Sequence, residues 1–588
     1  MKHKQLIMTC FFLALGVLSG CSKDEITDTR DKNKTNTENS GSGGSTEIDG
    51  SDDDYIANSS FDHTVSITFS TSGDATVTGA SDNISVSVRG NGITINNTGD
   101  DVVRYEVSGN TTDGFLKIYS GKKQAIILNS VDIANSAGAA INIQGPANTP
   151  AKGKRTFIVV NGNNKLTDGK TYNTPSAEDE KGVIFSEGKL AVSGTGALTI
   201  TAQGKSAIAS DDYVRFLAAP TINIYSTAGH GVKANDGIIV DNGIISVSVS
   251  SNMKKGFTSN DYVTINGGTT TINVTGSAAY DNDEQEYIGT AGIKADSTFT
   301  ITAGTLTVTN SGTGGKGISS DGRGYFNGGT ISVTATGSNY GSSNNGGGFG
   351  PGGRKSDNTL SSKAIKFDGN LYFAGATVTA KASAHEAIES KGAIEITAGE
   401  VYAYSSDDAM NSAKDFTISG GHVCGYSTGN DGLDANGNFY IKGGVVYAIG
   451  ARAPEVAVDA NTEGGYRLYV TGGTIIAIGG LENGASLAQN CYSATSWSSN
   501  TSYGLTIGDN IYAFKTPASG GSGLVVSGES TPTLSAGVSV TGGTSYCEGM
   551  LTLNPSLSGG SSVSLNTYSG GGNNGGGPGG NGGGPRGR

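Results

Sequence analysis

The sequence predicts an all-β protein, a right-handed parallel β-helix of about 12 coils with 22–25 residues each. Three observations lead to this prediction. A short phrase recurs along the chain, and each repeat also contains a strand signal in which apolar and polar residues alternate. After the amino-terminal apolar segment, no stretch has a helical period long enough to supply crossover helices.

The recurring phrase is a small residue, an apolar residue and a polar pair. Its apolar members are Ile208, Val232, Phe257, Ile293, Ile318, Ile365, Ile388, Met410, Leu433 and Val458. Most neighbours in this series are 22–25 residues apart, and the two longer gaps contain an acidic insertion near Asp281 and a glycine-rich one at residues 339–353. A β-sandwich or a propeller is the alternative. A propeller blade needs about 40 residues, however, and sandwich strands would not keep a single phase across so many repeats. A stacked β-helix instead makes residues one repeat apart neighbours at about 4.8 Å.

The chain divides into five predicted parts. Residues 1–20 have a basic start, a short apolar core and small residues before Cys21, which is typical of a bacterial lipoprotein signal; an ordinary secretory peptide is the alternative. Residues 21–60 read as a flexible acidic and polar tether, and residues 61–480 as the β-helix. Residues 481–568 are expected to pack on the helix or to cap it, and residues 569–588 form a glycine-rich disordered tail.

Lipid on Cys21 would anchor the chain to a membrane. The acidic cluster that follows Cys21 resembles the surface-export tag of Bacteroidetes lipoproteins, which implies an outer-membrane lipoprotein exposed on the cell surface. After the signal, only Cys424, Cys491 and Cys547 remain, so at most one internal disulfide is expected, with its pairing open.

Charge limits the partners. The formal net charge is −13, and no basic stripe is present, so the sequence predicts no nucleic-acid partner. Cations and neutral polymers are the natural small partners of so acidic a chain. The sequence does not indicate protein partners or an oligomeric state.

The residue after each apolar member should face outward. This outward column changes from lysine to acidic residues and reads Ala209, Lys233, Thr258, Lys294, Ser319, Lys366, Glu389, Asn411, Asp434 and Asp459. Carboxylates stacked at about 5 Å repel one another unless a cation lies between them. We therefore predict Ca²⁺ bound by Glu386, Glu389, Asp407, Asp408, Asp431 and Asp434. In the alternative, these side chains satisfy turn backbone groups and are solvated.

A second outward column contains tyrosines. Val401, Val423, Val446 and Ile475 should face inward, which predicts a surface ladder made of Tyr402, Tyr404, Tyr426 and Tyr447. Such a ladder could stack on the apolar faces of sugar rings. In the alternative, the segment after residue 480 folds back and buries these tyrosines as ordinary core.

Several segments carry a family resemblance. They include YEVSGNTTDGFLKI, AIILNSVDIANSAGAAINI and KGVIFSEGKLAVSGTGALTI, together with the later GIKA and GLDAN phrases, and they span residues 101–480. In order and spacing, the chain resembles a family of calcium-binding, carbohydrate-binding parallel β-helix proteins that are similar in fold to β-helical polysaccharide lyases. The resemblance implies non-catalytic binding of a cellulose- or pectin-type polysaccharide. Only residues 407–410 and 430–433 approach the family's Asp-Asp-Gly-Ile phrase.

Three functions follow as hypotheses. The first is a surface lipoprotein that binds polysaccharide without cleaving it, with assistance from calcium. The second is a calcium-dependent lyase with Lys366 as its base, although a lysine so close to carboxylates should stay protonated. The third is a structural or adhesive surface stalk.

Overall fold

The computed structural model describes residues 52–146, 154–175, 178–341 and 359–570, which form an all-β fold. The described residues belong to one compact unit, Gly50–Arg588; a first unit, Met1–Asp49, lies outside them. The predicted signal, Cys21, the tether up to residue 51 and the tail from residue 571 also lie outside the described residues. Within the described ranges, no helix is both long and apolar enough for a membrane span.

Three stacks of parallel strands build the fold. Stack 1 contains His63–Phe69, Val103–Thr111, Gln124–Ala134, Arg155–Asn161, Lys189–Gly194, Tyr213–Phe216, Gly237–Val240, Tyr262–Ile265, Thr298–Ile301, Arg323–Phe326, Leu371–Ala382, Ile394–Ser405, Phe416–Ile418, Phe439–Ile441, Leu468–Val470 and Ser486–Leu487. Stack 2 contains Asn163–Thr167, Ala197–Ala202, Thr221–Ser226, Ile244–Val249, Thr269–Val274, Thr305–Asn310, Thr330–Ala335, His422–Ser427, Val445–Ile449 and Thr474–Ile478. The long strands Gln124–Ala134, Leu371–Ala382 and Ile394–Ser405 run through both stacks and join them into one sheet.

Stack 3 is a separate parallel sheet. It contains Asn91–Asn97, Gly114–Ser120, Ile141–Gln144, Gly182–Ser186, Ser206–Ser210, Val232–Ala234, Lys255–Ser259, Ala291–Ala295, Lys316–Ser320, Lys363–Phe367, Ile388–Ser390, Met410–Ser412 and Leu433–Ala435. Two short strands at the amino-terminal end, Thr76–Thr78 and Ile84–Arg89, pair antiparallel with stacks 1 and 3. The hairpin Ala279–Asp281 and Glu286–Ile288 occupies the acidic insertion.

The strand register confirms the predicted phase. The apolar members of the phrase from Ile208 to Leu433 are direct partners from strand to strand, and bridges continue the series through Val458 to Leu481. Every member up to Val458 is at most 1% exposed. Because side chains alternate across a strand, the next residue of each repeat lies in a common column on the opposite face. The parallel stacks are compatible with a β-solenoid.

Glycine pairs mark the turns between strands because the coils approach closely there. Gly304 and Gly329 have φ angles of +87° and +84°, a region that favours glycine. A Cβ atom on Gly304 would lie 2.7 Å from the Gly267 carbonyl carbon of the preceding coil. These turns therefore require glycine both for backbone conformation and for space.

The predicted tether is wrong at its carboxy-terminal end. Residues 52–61 pack against the outer side of stack 1, where Tyr55, Ile56 and Phe61 cover a small apolar cluster around Phe157. The cluster's buried members are Ala125, Ile127, Phe157, Ala191 and Leu217. Chain flexibility would be expected from composition alone, but these apolar contacts fix the segment.

Ion pairs also hold residues 52–61 against stack 1. Asp54 is 5% exposed and accepts hydrogen bonds from Arg155 Nε, from the Tyr213 hydroxyl and, at 2.9 Å, from Arg215 Nη1. Arg215 Nη1 also lies 2.7 Å from Asp52 Oδ2. Burial opposes ionisation of Asp54, but these partners outweigh it and hold its pKa below the usual value. We name residues 52–61 the amino-terminal clamp.

Replacing Asp54 with alanine should open the clamp without unfolding the stacks. Loss of charge-assisted hydrogen bonds worth about 1.5–3 kcal/mol should accelerate amide hydrogen exchange in residues 52–61 about 10- to 100-fold. Asp53→Ala is the matched control, because the Asp53 side chain is 72% exposed and lies 3.8 Å from Arg155 Nη1. Equal exchange in the two variants would show that the apolar contacts alone hold the clamp.

The chain after Leu481 forms a cap. Cys491–Ala494, Leu524–Ser527 and Asn566–Tyr568 add antiparallel strands at the end of stack 2. A six-stranded antiparallel sheet contains Thr544–Tyr546, Leu551–Leu553, Asn510–Lys515, Ser502–Ile507, Thr533–Thr541 and Ser556–Val563. The two 3-10 turns of the described chain are Ile56–Asn58 and Cys547–Gly549. A disulfide joins Cys424 of stack 2 to Cys547 of the cap, and Cys491 is free and buried.

Candidate binding face of stack 3

The outer face of stack 3 carries the predicted outward column. Lys233, Thr258, Lys294, Ser319, Lys366, Glu389, Asn411 and Asp434 are consecutive strand partners, as the phase required. A second column lies three residues earlier on each strand and includes the partners Lys255, Ala291, Lys316 and Lys363. Both columns are basic in the middle coils and acidic in the late coils.

A lysine pocket opens between the two columns. Its volume is about 450 Å³, and it is lined by Lys255, Glu286, Tyr287, Ile288, Gly289, Thr290, Ala291, Lys294, Lys316, Ser319, Asp321, Leu360 and Lys366. The hairpin strand Glu286–Ile288 therefore forms one wall, with Tyr287 in contact with Tyr280 and Tyr340. The volume falls within the range of about 300–1,000 Å³ that is typical of ligand sites.

Two lysines of this pocket lack a carboxylate. Lys294 pairs with Asp296 and Asp321, and Lys366 pairs with Asp368. Within the described residues, neither Lys255 nor Lys316 forms an ion pair. Burial first, and then neighbouring lysines, lowers the pKa of both ammonium groups to about 8. An anionic ligand would supply the missing counter-charge.

The sign of the columns changes at a buried ion cluster. Lys363 Nζ lies 3.0 Å from Glu386 Oε2 and also hydrogen-bonds Glu389, whose other oxygen accepts from Lys391. Burial opposes ionisation of both glutamates, but Lys363, with His385 for Glu386 and Lys391 for Glu389, holds their pKa values below the usual value. Glu389 is 1% exposed. Positive side chains therefore already neutralise both carboxylates.

The next coils form an acidic cluster, and among the residues that the structure describes no lysine, arginine or histidine forms an ion pair with it. Carboxylate oxygens of Asp431, Asp434 and Asp459 all lie within 4.8 Å of one another. Burial first, and then neighbouring carboxylates, raises the pKa of each of these three groups to about 7. Glu482 hydrogen-bonds Asp459, and the same causes raise its pKa to about 8. The arrangement offers hard oxygen ligands at a spacing that fits Ca²⁺.

Asp408 lies beside this cluster. Its Oδ1 accepts a hydrogen bond of 3.1 Å from the Asp431 backbone, and Asn411 links Asp408 to Asp434. Burial first, and then the charge of Asp407, raises the pKa of Asp408 to about 6. Asp408 therefore belongs to the uncompensated part of the face.

Comparison with known proteins assigns the chain to a family. Three overlapping segments, residues 89–260, 246–346 and 311–409, match the carbohydrate-binding domain-containing proteins, and together they span more than half of the 588 residues. The chain belongs to this family. Membership supports carbohydrate binding, and the matched region includes the lysine pocket and the buried ion cluster.

Other comparisons add less. A solved polysaccharide lyase-like protein from C. thermocellum (a gadolinium derivative) is 20% identical, with 45% of this chain and 96% of that chain covered and a TM-score of 0.35. No curated protein matches this chain.

The structure separates the six predicted calcium ligands. Asp408, Asp431 and Asp434 lie in the uncompensated region. Glu386 and Glu389 are neutralised by lysines, and Asp407 contacts His385 Nδ1 at 3.0 Å and accepts from Asn430. A group of His385, Glu386 and Asp407 could in geometry hold an ion, but the pKa of His385 is raised to about 9 by Asp407 and Glu386. A metal ion there would have to displace the imidazole proton. Glu386, Glu389 and Asp407 therefore lie where positive side chains already balance them, and their role as calcium ligands stays a prediction.

Sequence reasoning missed two members of the acidic cluster. Asp459 ends the outward column but was outside the predicted ligand set. Glu482 follows Asp459 by 23 residues within the phrase Gly-Gly-Leu-Glu, and the bridge between Val458 and Leu481 places it on the next coil. Extending the same spacing by one repeat would have identified it.

The predicted exposure of the tyrosine ladder is wrong for two members. Tyr402 is 5% and Tyr447 1% exposed, because the cap covers this part of stack 2. The Tyr447 hydroxyl donates to the Lys515 carbonyl, and its ring packs against Phe514. This arrangement matches the fold-back alternative. Tyr404 and Tyr426 are half-buried and pack edge to face at 5.1 Å.

A different tyrosine ladder lies on stack 1. Tyr325 stacks on Tyr372, and Tyr440 on Tyr469, each pair at 5.1 Å between ring centroids and all four half-exposed. All four lie in one column of strand partners. The unequal spacing around the glycine-rich insertion and the residues 450–467 loop hid this column in the sequence.

Proposed function

We propose that this protein binds an acidic, pectin-type polysaccharide without cleaving it. The single observation that carries the proposal is the stack 3 face, where a lysine pocket and an acidic cluster share the same two columns in a member of a carbohydrate-binding family. Uronate carboxylates would pair with Lys255 and Lys316. Ca²⁺ at Asp431, Asp434 and Asp459 would bridge further uronates to the protein, since it accepts six to eight oxygen ligands.

We further propose that the protein is an outer-membrane lipoprotein exposed on the cell surface and anchored through lipid on Cys21. The disulfide between Cys424 and Cys547 supports an oxidising compartment outside the cytoplasm. We also propose that the solenoid is a right-handed helix of about 12 coils. The support is general: crossover connections between parallel strands are right-handed in about 98% of cases.

Replacing Lys255 and Lys316 together with methionine should weaken binding to polygalacturonate at least about tenfold, since each hydrogen bond to a charged group is worth about 1.5–3 kcal/mol. Melting temperature should stay the same or rise, because methionine keeps the apolar stem and relieves a buried, uncompensated charge. Affinity electrophoresis on polygalacturonate gels and thermal melts measure the two effects.

Lys165→Met/Lys170→Met is the matched control. It removes the same net charge at exposed positions outside stack 3 and should leave binding within about twofold. Equal weakening in both double variants would show that binding depends only on general charge attraction. It would refute the proposal that Lys255 and Lys316 bind uronate. Binding to insoluble cellulose but not to polygalacturonate would show that the ligand is a neutral polysaccharide and not an acidic one. Absence of binding to either would favour the structural stalk.

The lyase alternative has one observation in its favour. A general base near neutral pH needs a lowered lysine pKa, and Lys255 and Lys316 have one. Lys366, the base predicted from sequence, is instead held by Asp368. Steady release of unsaturated uronate from polygalacturonate, followed by ultraviolet absorbance, would make the protein a lyase and overturn the non-catalytic proposal.

A further inference from the structure

A second cavity lies at the junction of the cap and the last coils, and none of its lining residues belongs to a strand of stack 3. Its volume is about 410 Å³, and its lining includes Arg452, Thr495, Ser496, Trp497, Gly521 and Ser522. None of these residues belongs to the lysine pocket or to the acidic cluster. The proposed function therefore does not account for this cavity.

Trp497 is the single tryptophan of the chain, and its ring is held in place. The indole nitrogen donates a hydrogen bond of 2.9 Å to the Gly521 carbonyl. The adjacent Ser498 amide donates to the hydroxyl of Tyr503, which is 2% exposed. Because its N–H is already satisfied, the half-buried indole presents a fixed apolar surface to the cavity.

Two glycines beside the ring leave little room for a side chain. A Cβ atom on Gly520 would lie 3.4 Å from Trp497 Cζ2, and one on Gly521 would lie 2.5 Å from the Gly479 Cα atom. The Gly521 amide also donates to the Gly450 carbonyl at 2.9 Å, which ties the cap to the end of stack 2. The walls of the cavity therefore come from two parts of the chain, the cap and the last coils, which hydrogen bonds and close packing hold together.

Polar groups surround the aromatic surface. Arg452 is exposed and, within the described ranges, pairs with no carboxylate. Thr495, Ser496 and Ser522 are exposed and add hydroxyls that both donate and accept hydrogen bonds. An aromatic platform ringed by such groups matches a neutral pyranose, which has an apolar face of C–H groups and a rim of hydroxyls.

We propose that this cavity is a second carbohydrate site, which binds a neutral hexopyranose or pentopyranose unit stacked on Trp497 with Arg452 bonded to its hydroxyls. The ligand class differs from that of the stack 3 face, which carries the lysine pocket and the acidic cluster. One protein could then hold an acidic polysaccharide on stack 3 and a neutral chain at the cap.

The single tryptophan gives this proposal a direct test. Titration of the full chain with cellohexaose, xylohexaose or mannohexaose should produce a saturable change in intrinsic fluorescence with at least one of the three. Arg452→Ala should raise the dissociation constant about tenfold or more. Arg467→Ala, which removes another exposed arginine, is the matched control and should change nothing.

Calorimetry with Trp497 variants completes the test. Trp497→Phe should retain weakened binding, whereas Trp497→Ala should abolish it, with both variants checked for an unchanged melting profile. Absence of any fluorescence change and of any heat with all three oligosaccharides at millimolar concentration would overturn the proposal. So would equal affinity in Arg452→Ala and the parent. The Lys255→Met/Lys316→Met variant should bind normally here, so failure of one site is distinguishable from failure of the other.

Discussion

Replacing Lys363 with methionine should lower the free energy of unfolding by about 3–5 kcal/mol, a typical loss when one partner of a buried ion pair is removed. The Lys363 side chain is 8% exposed and bonds two carboxylates, of which the Glu389 side chain is 2% exposed. Without the ammonium group, Glu386 and Glu389 would be two buried charges of the same sign. They would keep only His385 and Lys391 as partners, whose side chains are 27% and 53% exposed. Urea unfolding followed by far-ultraviolet circular dichroism measures the loss.

Lys366→Met, three residues further along the same strand, is the matched control. Its ammonium group pairs with Asp368, whose side chain is 40% exposed, so its removal should cost less than about 1 kcal/mol. The triple variant Lys363→Met/Glu386→Gln/Glu389→Gln should recover much of the lost stability, because the stranded charges are removed with the lysine. Equal stability of Lys363→Met and Lys366→Met would contradict this account.

The pH dependence of the buried ion cluster has a definite sign. The folded-state pKa values of Glu386 and Glu389 are depressed, so their contribution is present above their usual pKa of 4.5 and is lost as pH falls below it. The pKa of His385 is raised from 6.5 to about 9, so its contribution is complete below 6.5 and is lost as pH rises through 9. The stabilisation by this cluster should therefore be greatest between about pH 5 and 6.5.

The phase of the fold was predictable because a strand has a period of two. A slip of one residue would have turned Val401 outward and Tyr402 inward, so the hydrophobic pattern alone fixed the register of stacks 2 and 3. The same rule gave the columns of stack 3, including the position of Asp434. Local alternation and repeat spacing carry this information, and both are visible in one sequence.

The repeat pattern did not predict which outward faces of the solenoid are covered by other segments of the chain. Tyr402 and Tyr447 have the outward phase, and only the position of the non-repetitive cap decides that they are buried. The amino-terminal clamp was not predicted for the same reason. Asp54 and Arg215 are 161 residues apart in the sequence, and their contact follows no repeat spacing. The neutralisation of Glu386 could have been predicted from the sequence. Lys363 precedes Glu386 by 23 residues, which is the same spacing that predicted neighbouring positions for the acidic residues.

Calcium should stabilise the protein most strongly above pH 7, where the acidic cluster ionises. The folded-state pKa values of Asp431, Asp434, Asp459 and Glu482 are raised, so the folded form binds protons more tightly than the unfolded form. Without metal, this cluster should reduce stability as pH rises from about 4 to 8. At 100 times its dissociation constant, calcium should add about 2.7 kcal/mol.

The double variant Asp434→Asn/Asp459→Asn distinguishes charge repulsion within the acidic cluster from calcium binding by it. In chelator at pH 8, this variant should melt at a higher temperature than the parent, because two repelling charges are gone. In calcium it should show little further gain, because two ligands are gone as well. Comparison of variant with parent also cancels the contribution of His385, which titrates in the same range.

Asp236→Asn/Asp509→Asn is the control, since both residues are exposed and lie outside the cluster. It makes the same change in net charge and should keep the full response to calcium. The two opposite shifts, upward in chelator and downward in calcium relative to the parent, can arise together only if the same carboxylates repel one another and bind the ion. A parent protein with equal melting temperatures in calcium and in chelator at pH 8 would exclude calcium from this cluster. The lysine pocket would then be the part of stack 3 left to bind uronate.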